Sequence, residues 1–127
     1  MNDLRSIPAY LMRGGTSKGL VFHKKDLPND RNLLSEYLLK IMGSPDIRQI
    51  NGIGGGTSVT SKVCIISKSL EKNVDIDYFF AQVEVDRKHV DYAPTCGNML
   101  SALGPFAIEE GLVETHNEIT KVNVKSI

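Results

Sequence analysis

The hydrophobic pattern of the chain has two periods, which predict strands in some segments and helices in others. Alternating or short apolar runs rich in Val, Ile and aromatic residues predict strands at residues 7–12, 19–23, 61–67, 76–85 and 119–127. The fourth of these alternates in polarity. It is therefore predicted to expose one face to water, the face that carries Phe80, Gln82, Glu84 and Asp86.

Two other segments have apolar residues at helical spacing. Asp30 can cap a helix that runs to about Met42, with Gly43 immediately after it as a stop signal. A second helix is predicted over residues 98–110, with Pro105 inside it. This second segment is apolar on most sides, which is typical of a helix that other elements surround.

Composition and charge narrow the class of protein. The 127 residues can form one ordinary domain, residues 1–127, with a real core. Fifteen basic and fifteen acidic residues cancel, which argues against nucleic acid or a membrane surface as partner. Neither a run of about 18 apolar residues nor a signal-peptide core is present, so we expect a cytoplasmic protein with reduced cysteines. The sequence stops at Ile127 within a predicted strand, and we expect it to be one piece of a longer assembly.

The clearest chemical feature is Cys96, which directly precedes Gly97 and Asn98 at the start of the second predicted helix. A helix N-terminus offers unpaired N–H groups and a partial positive charge. These favour the thiolate form of a cysteine and can hold a carboxylate. This position indicates an enzyme of small carboxylic acids, although a packed thiol is the alternative reading.

Two glycine-rich loops, residues 14–18 and 54–62, have related properties. Glycine lets backbone N–H groups point into a concavity that binds anions. Hydroxyl groups of Ser17, Thr57 and Ser58 can add hydrogen bonds to carboxylate oxygens. Lys18 and Lys62 can supply a positive charge or, if buried, a base. The alternatives are ordinary turns and solvated lysines.

The remaining reactive residue types carry no chemistry in this interpretation. Cys64 lies in an apolar run and is predicted to be an inert core thiol. His23, His89 and His116 lack the spacing of metal ligands and are predicted to lie at the surface, so no metal site is expected. The glycine spacings also depart from dinucleotide-binding and P-loop motifs.

Three segments, taken in order, carry a resemblance to a known family. Residues 8–19 (PAYLMRGGTSKG), 54–62 (GGGTSVTSK) and 94–99 (PTCGNM) resemble signatures of the PrpF-type family. That family includes 2-methylaconitate cis-trans isomerase, 3-methylitaconate delta-isomerase and 4-oxalomesaconate tautomerase. The resemblance implies an α+β, diaminopimelate epimerase-like fold in which strands wrap a central helix. The family has two such domains, and this chain would be the first.

The resemblance also implies a function and a set of site residues. Family members shift a proton along small unsaturated polycarboxylates without metal or organic cofactor. Lys62 would be the leading acid/base group, with Cys96 as its partner or second proton carrier. Carboxylates would be held by Ser17, Gly55, Gly56, Thr57, Gly97 and Asn98. Lys18, Ser58 and Met99, which lie in the same loops, complete the predicted binding set.

Two alternatives to a working isomerase stay open at this point. Without the second domain, the chain is expected to pair with another domain or chain, or to be an inactive domain that only folds, binds or self-associates. An amino-acid epimerase or racemase of the same fold is the other alternative, and it would need a second cysteine from the missing half.

Overall fold

A computed structural model describes residues 5–116 and 118–127 and contains a mixed sheet with one helix on each face. Its strands and helices, in chain order, are β1 (Tyr10–Gly14), β2 (Ser17–His23), α1 (Arg31–Met42), β3 (Lys62–Lys68), β4 (Ile76–Val83), β5 (Val90–Asp91), α2 (Gly97–Glu109) and β6 (Val124–Ser126). Short 3-10 turns at Lys24–Asp26 and Ser58–Thr60 precede α1 and β3.

The strand order across the sheet is β1-β2-β3-β4-β5, and β6 also pairs with β4. β1 and β2 form an antiparallel hairpin, whereas β2 and β3 are parallel with Gly19 opposite Lys62. A parallel pair needs a long crossover connection, and here the crossover contains α1. As a result, β2 and β3 run in the same direction and begin at the same end of the sheet.

Helix α1 forms where the sequence predicts it. The Asp30 carboxylate accepts a hydrogen bond from the Leu33 N–H at 3.1 Å, and Gly43 ends the helix with a φ of 87°. Leu34, Leu38 and the neighbouring apolar residues of α1 pack on the sheet face that carries Phe22. The predicted bounds and caps of this helix are therefore confirmed.

Helix α2 packs on the opposite face of the sheet through Met99, Leu103 and Phe106. Its outer side carries Leu100 and Ile108, which are 40% and 38% exposed. The prediction that β4 exposes one face to water is wrong, because Phe80 is buried beneath α2. A strand between two helices buries both faces, and its polar residues are then confined to its ends.

The predicted strand boundaries differ from the structure by one to three residues for most strands and by more for the last one. The first strand begins at Tyr10 rather than at residue 7, and the strand predicted over 119–127 is limited to Val124–Ser126. The tail pairs in parallel with Ile76–Tyr78 of β4, so the residues before Val124 lie beside the turn that precedes β4 and have no strand to pair with. Among the described residues, no helix has the length and apolar character needed to span a bilayer.

Candidate active site

The end of the sheet at which β2 and β3 begin brings together residues from these two strands and from the start of α2. On the face that contacts α2, Ser17 and Lys62 lie where β2 and β3 begin. The Ser17 hydroxyl oxygen lies 4.0 Å from the Cys96 sulfur. Cys96 is the N-cap residue of α2 and is 8% exposed. A hydroxyl, a thiol and an amine therefore share one side of the sheet.

The β1–β2 hairpin is fitted closely against the start of α2. A Cβ on Gly14 would lie 2.4 Å from the Asn98 carbonyl oxygen, so only glycine permits this approach. The Asn98 side-chain amide donates to the Thr16 hydroxyl at 3.0 Å. The glycines and hydroxyls of the first loop thus place β2 against α2 and bring Ser17 to Cys96.

The N-terminus of α2 has free hydrogen-bond donors. The Cys96 N–H donates to the Tyr78 hydroxyl at 3.3 Å, and the Cys96 carbonyl accepts from the Leu100 N–H at 3.3 Å. The N–H groups of Gly97, Asn98 and Met99 have no acceptor among the described residues. A Cβ on Gly97 would have nothing within 4 Å, so this end of the helix is open. Such an N-terminus can bind a carboxylate.

Lys62 is held by uncharged groups. Its Nζ donates to Gln82 Oε1 at 2.7 Å and lies 5.4 Å from the centroid of the Phe80 ring. No Asp or Glu side chain within the described ranges lies within 4.0 Å of this Nζ. Lys62 is partly buried, and its amine is positioned by uncharged groups instead of an ion pair.

Cys64 lies beneath this group of residues and is fully buried. Burial, and after it the interaction with Cys96, raise the pKa of Cys64 to about 12. The hydrogen bond with Tyr78 and the charge of Lys62 oppose this shift. The prediction of a core thiol at Cys64 is confirmed. Lys62 shares one face of β3 with Cys64, and Cys96 packs in the same core cluster as Cys64, so Lys62 and Cys96 lie on the same side of the sheet.

The second glycine loop is organised around a buried amide. Gln49 is 1% exposed, and its Oε1 accepts from the Gly56 N–H at 2.8 Å and from the Ser61 hydroxyl at 3.0 Å. The Thr57 and Thr60 hydroxyls lie 2.8 Å apart, and the Ser58 carbonyl accepts from Gln82 Nε2 at 2.9 Å. This loop is therefore joined to Lys62 through Gln82.

The structure brings some of the predicted site residues together and places others apart. Ser17, Gly97 and Asn98 surround Cys96, whereas Gly55, Gly56 and Thr57 lie on the Gln49 side of the second loop. Lys18 shares the α1 face of β2 with Leu20 and points away from Cys96. The Met99 side chain is fully buried in the core, so only its N–H can face a ligand.

Sequence reasoning missed two residues of this site and misplaced a histidine. Gln82 contacts Lys62, and Tyr78 contacts Cys96. The contact of Gln82 with Lys62 follows from the strand pairing, which places the two residues opposite each other. His23, predicted to lie at the surface, is partly buried, with its side chain 20% exposed and its Nε2 2.6 Å from Glu110 Oε1. Residues 5–116 and 118–127 contain no group of three His, Cys, Asp or Glu residues arranged to hold a metal.

Comparison with known proteins gives matches over nearly the whole chain. The family described as PrpF protein matches residues 4–127. A 4-oxalomesaconate tautomerase of Pseudomonas putida is 54% identical over 118 residues, which cover 93% of this chain and 33% of that protein. A 3-methylitaconate isomerase of Eubacterium barkeri is 45% identical, over 96% of this chain and 32% of that protein.

A solved structure shows the same fold. The crystal structure of methylitaconate-delta-isomerase superposes with a TM-score of 0.92 at 44% identity, over 95% of this chain and 31% of that one. The α+β fold class is therefore confirmed. The chain spans about a third of the length of the curated relatives it matches. By sequence and by structure, the chain belongs to the PrpF protein family.

Proposed function

We propose that this chain carries the proton-transfer groups of an isomerase that acts on small unsaturated polycarboxylates. The observation that carries the proposal is the placement of Lys62 and Cys96 on one face of the sheet, with Cys96 at the open N-terminus of α2. Relatives named as a tautomerase of oxalomesaconate and as isomerases of methylitaconate and methylaconitate support the substrate class.

In the proposed site, a substrate carboxylate binds to the N–H groups at the start of α2. Gly97, Asn98 and Met99 supply these donors, and the Ser17 hydroxyl adds one from β2. Donors placed in advance stabilise negative charge that develops on the carboxylate during reaction. The second loop, with Gly55, Gly56, Thr57 and Ser58, is proposed to contact another carboxylate of the same substrate.

The proposed reaction moves one proton and needs no oxidant. Either Lys62 or Cys96 takes a proton from a carbon next to the bound carboxylate, and the electron pair left behind spreads over the double bond and the carboxylate oxygens. The other group, or the same one, returns a proton at the far end of this delocalised system. The double bond shifts or changes geometry, and the atoms of substrate and product are the same.

Completion of the site is a separate proposal. The curated relatives are about three times as long as this chain, and the start of α2 is open at Gly97. We propose that a second domain, or another chain, covers this opening and excludes water from the bound substrate. Self-association of this chain would be one way to supply that cover.

The test is proton exchange in heavy water with 2-methylaconitate, 3-methylitaconate or oxalomesaconate, followed by NMR. We expect deuterium to enter the substrate with the wild-type chain and not with Lys62→Met or Cys96→Ser. Lys68→Met is the matched control, because Lys68 is exposed at the far end of the same strand. Exchange that survives both site substitutions would refute the proposal. Binding of the acids without exchange would favour an inactive binding domain instead.

A further inference from the structure

We infer that Gln82 is a positioning residue that holds the Lys62 amine with an uncharged oxygen. This inference rests on the proposed function, because Gln82 is given the role of holding an amine that carries a proton during the proposed reaction. Gln82 lies directly opposite Lys62 in the β3–β4 ladder, and its Oε1 accepts from Lys62 Nζ at 2.7 Å.

The orientation of the Gln82 amide is determined by its surroundings. Its Nε2 donates to the Ser58 carbonyl at 2.9 Å and lies 3.3 Å from the Ser61 carbonyl. A flipped amide would place its oxygen against two carbonyl oxygens and its NH2 group against the Lys62 ammonium, which only donates. Both ends would then be repulsive, so Oε1 must face Lys62.

The second glycine loop thereby controls the position of the amine. Both carbonyls that fix Gln82 belong to the segment from Ser58 to Ser61, which leads from that loop into β3. The Ser61 carbonyl also accepts from the Val83 N–H at 3.0 Å, which attaches this segment to β4. The Gln82 side chain that holds Lys62 is thus itself fixed by backbone carbonyls.

The neutrality of this partner has a chemical reason. A carboxylate at the same distance would stabilise the ammonium form and hold its proton. An amide oxygen fixes the geometry of the amine but adds no charge, and the Phe80 ring face adds a second uncharged contact. The amine can then release and recover a proton during catalysis while it stays in place.

Acylation of Lys62 in the complete chain tests this inference. Only the unprotonated amine reacts with an N-hydroxysuccinimide ester, and mass spectrometry at pH 8 measures modification of Lys62 relative to that of Lys68. Gln82→Glu is expected to slow modification of Lys62 about tenfold, because an opposite charge stabilises the ammonium form. Gln82→Met is expected to accelerate it several-fold, because it removes the acceptor. Asn32→Asp, which adds the same charge on an exposed turn of α1, should change nothing.

Opposite effects of the two substitutions separate positioning from a merely structural role. Local loosening of the strand end would expose Lys62 and accelerate its modification in both variants, which would overturn the inference. Equal rates in Gln82→Glu and wild type would overturn it as well, even if Gln82→Met failed to fold. These outcomes are independent of the exchange assay, in which exchange that survives both Lys62→Met and Cys96→Ser would instead refute the proposed function.

Discussion

The Ser17 hydroxyl and the Cys96 thiol lie 4.0 Å apart although 79 residues separate them in the chain. One belongs to the first hairpin and the other caps the last helix, and a glycine at position 14 permits the close approach between these elements. The contact therefore reports whether the hairpin and α2 are correctly assembled.

The two cysteines are expected to react at very different rates. The pKa of Cys64 is about 12, mainly because of burial, so that at pH 8 only about one molecule in ten thousand carries its thiolate. Cys96 caps α2 beside free N–H groups and is slightly exposed. Iodoacetamide should alkylate Cys96 in the folded protein and Cys64 only after unfolding.

The Cys96→Ser variant is the control for this assignment, because the folded variant should then incorporate no label. Mass spectrometry of tryptic peptides locates the label. Alkylation of both cysteines at similar rates in the folded chain would contradict the burial of Cys64 as the origin of its inertness.

Two glycine-to-alanine substitutions are expected to have opposite effects on stability. A Cβ on Gly19 would lie 2.3 Å from the Lys62 carbonyl oxygen, so Gly19→Ala should lower the free energy of unfolding by about 2–3 kcal/mol. A Cβ on Gly97, at the start of α2, would meet nothing within 4 Å, and the φ of Gly97 is not positive. Gly97→Ala should raise the free energy of unfolding by about 0.4–1 kcal/mol, because alanine lowers the conformational entropy of the unfolded chain. Urea titrations measure both, and equal effects would argue against the tight β2–β3 contact.

Gln49 is expected to be essential for the order of the second glycine loop. Gln49→Leu would leave the Gly56 N–H and the Ser61 hydroxyl without this acceptor. The expected loss of stability is about 1–3 kcal/mol, because the Gly56 N–H loses its acceptor, whereas the Ser61 hydroxyl keeps the Thr57 carbonyl at 2.7 Å. Amide hydrogen exchange should accelerate over residues 51–61. Asn32→Leu, at an exposed amide, should change stability by no more than about 0.5 kcal/mol; an equal loss there would refute the assignment.

The carboxylate of Glu110 is expected to give the protein acid-dependent stability. Its pKa is lowered, first by the hydrogen bond with His23, then by the one from Tyr10, and weakly by the charges of His23 and Lys25. Because the pKa of Glu110 is lower in the folded state than the ordinary value of 4.5, its ionised carboxylate stabilises the folded state above pH 4.5. This stabilisation is lost as the pH falls through the pKa of Glu110 in the folded state.

Glu110→Gln should therefore remove part of the loss of stability that accompanies acidification. Urea unfolding at pH 7 and at pH 3 measures this loss, which should be larger for wild type than for the variant. Identical losses would show that the contacts of Glu110 with β1 and β2 do not persist in solution.

Local features of the fold could be predicted, whereas long-range ones could not. The bounds of α1 depend on Asp30 and Gly43, which act within one helical turn. The burial of Phe80 depends on α2, and the pairing of Lys62 with Gln82 depends on a ladder between strands 20 residues apart. A pattern in one segment contains no information on which other segment will cover it, so the partners of Lys62 and His23 became visible only in the structure.

The parallel alignment of β2 and β3 has a consequence for how this protein could be dissected. The residues of the candidate active site come from β2, β3 and the start of α2. Strands β2 and β3 are in contact only after the crossover through α1 has formed. A synthetic peptide that contains only one of these segments would lack the residues that face it in the folded site. Heating should accordingly abolish ligand recognition in a single cooperative step together with the sheet itself, without a surviving half-site.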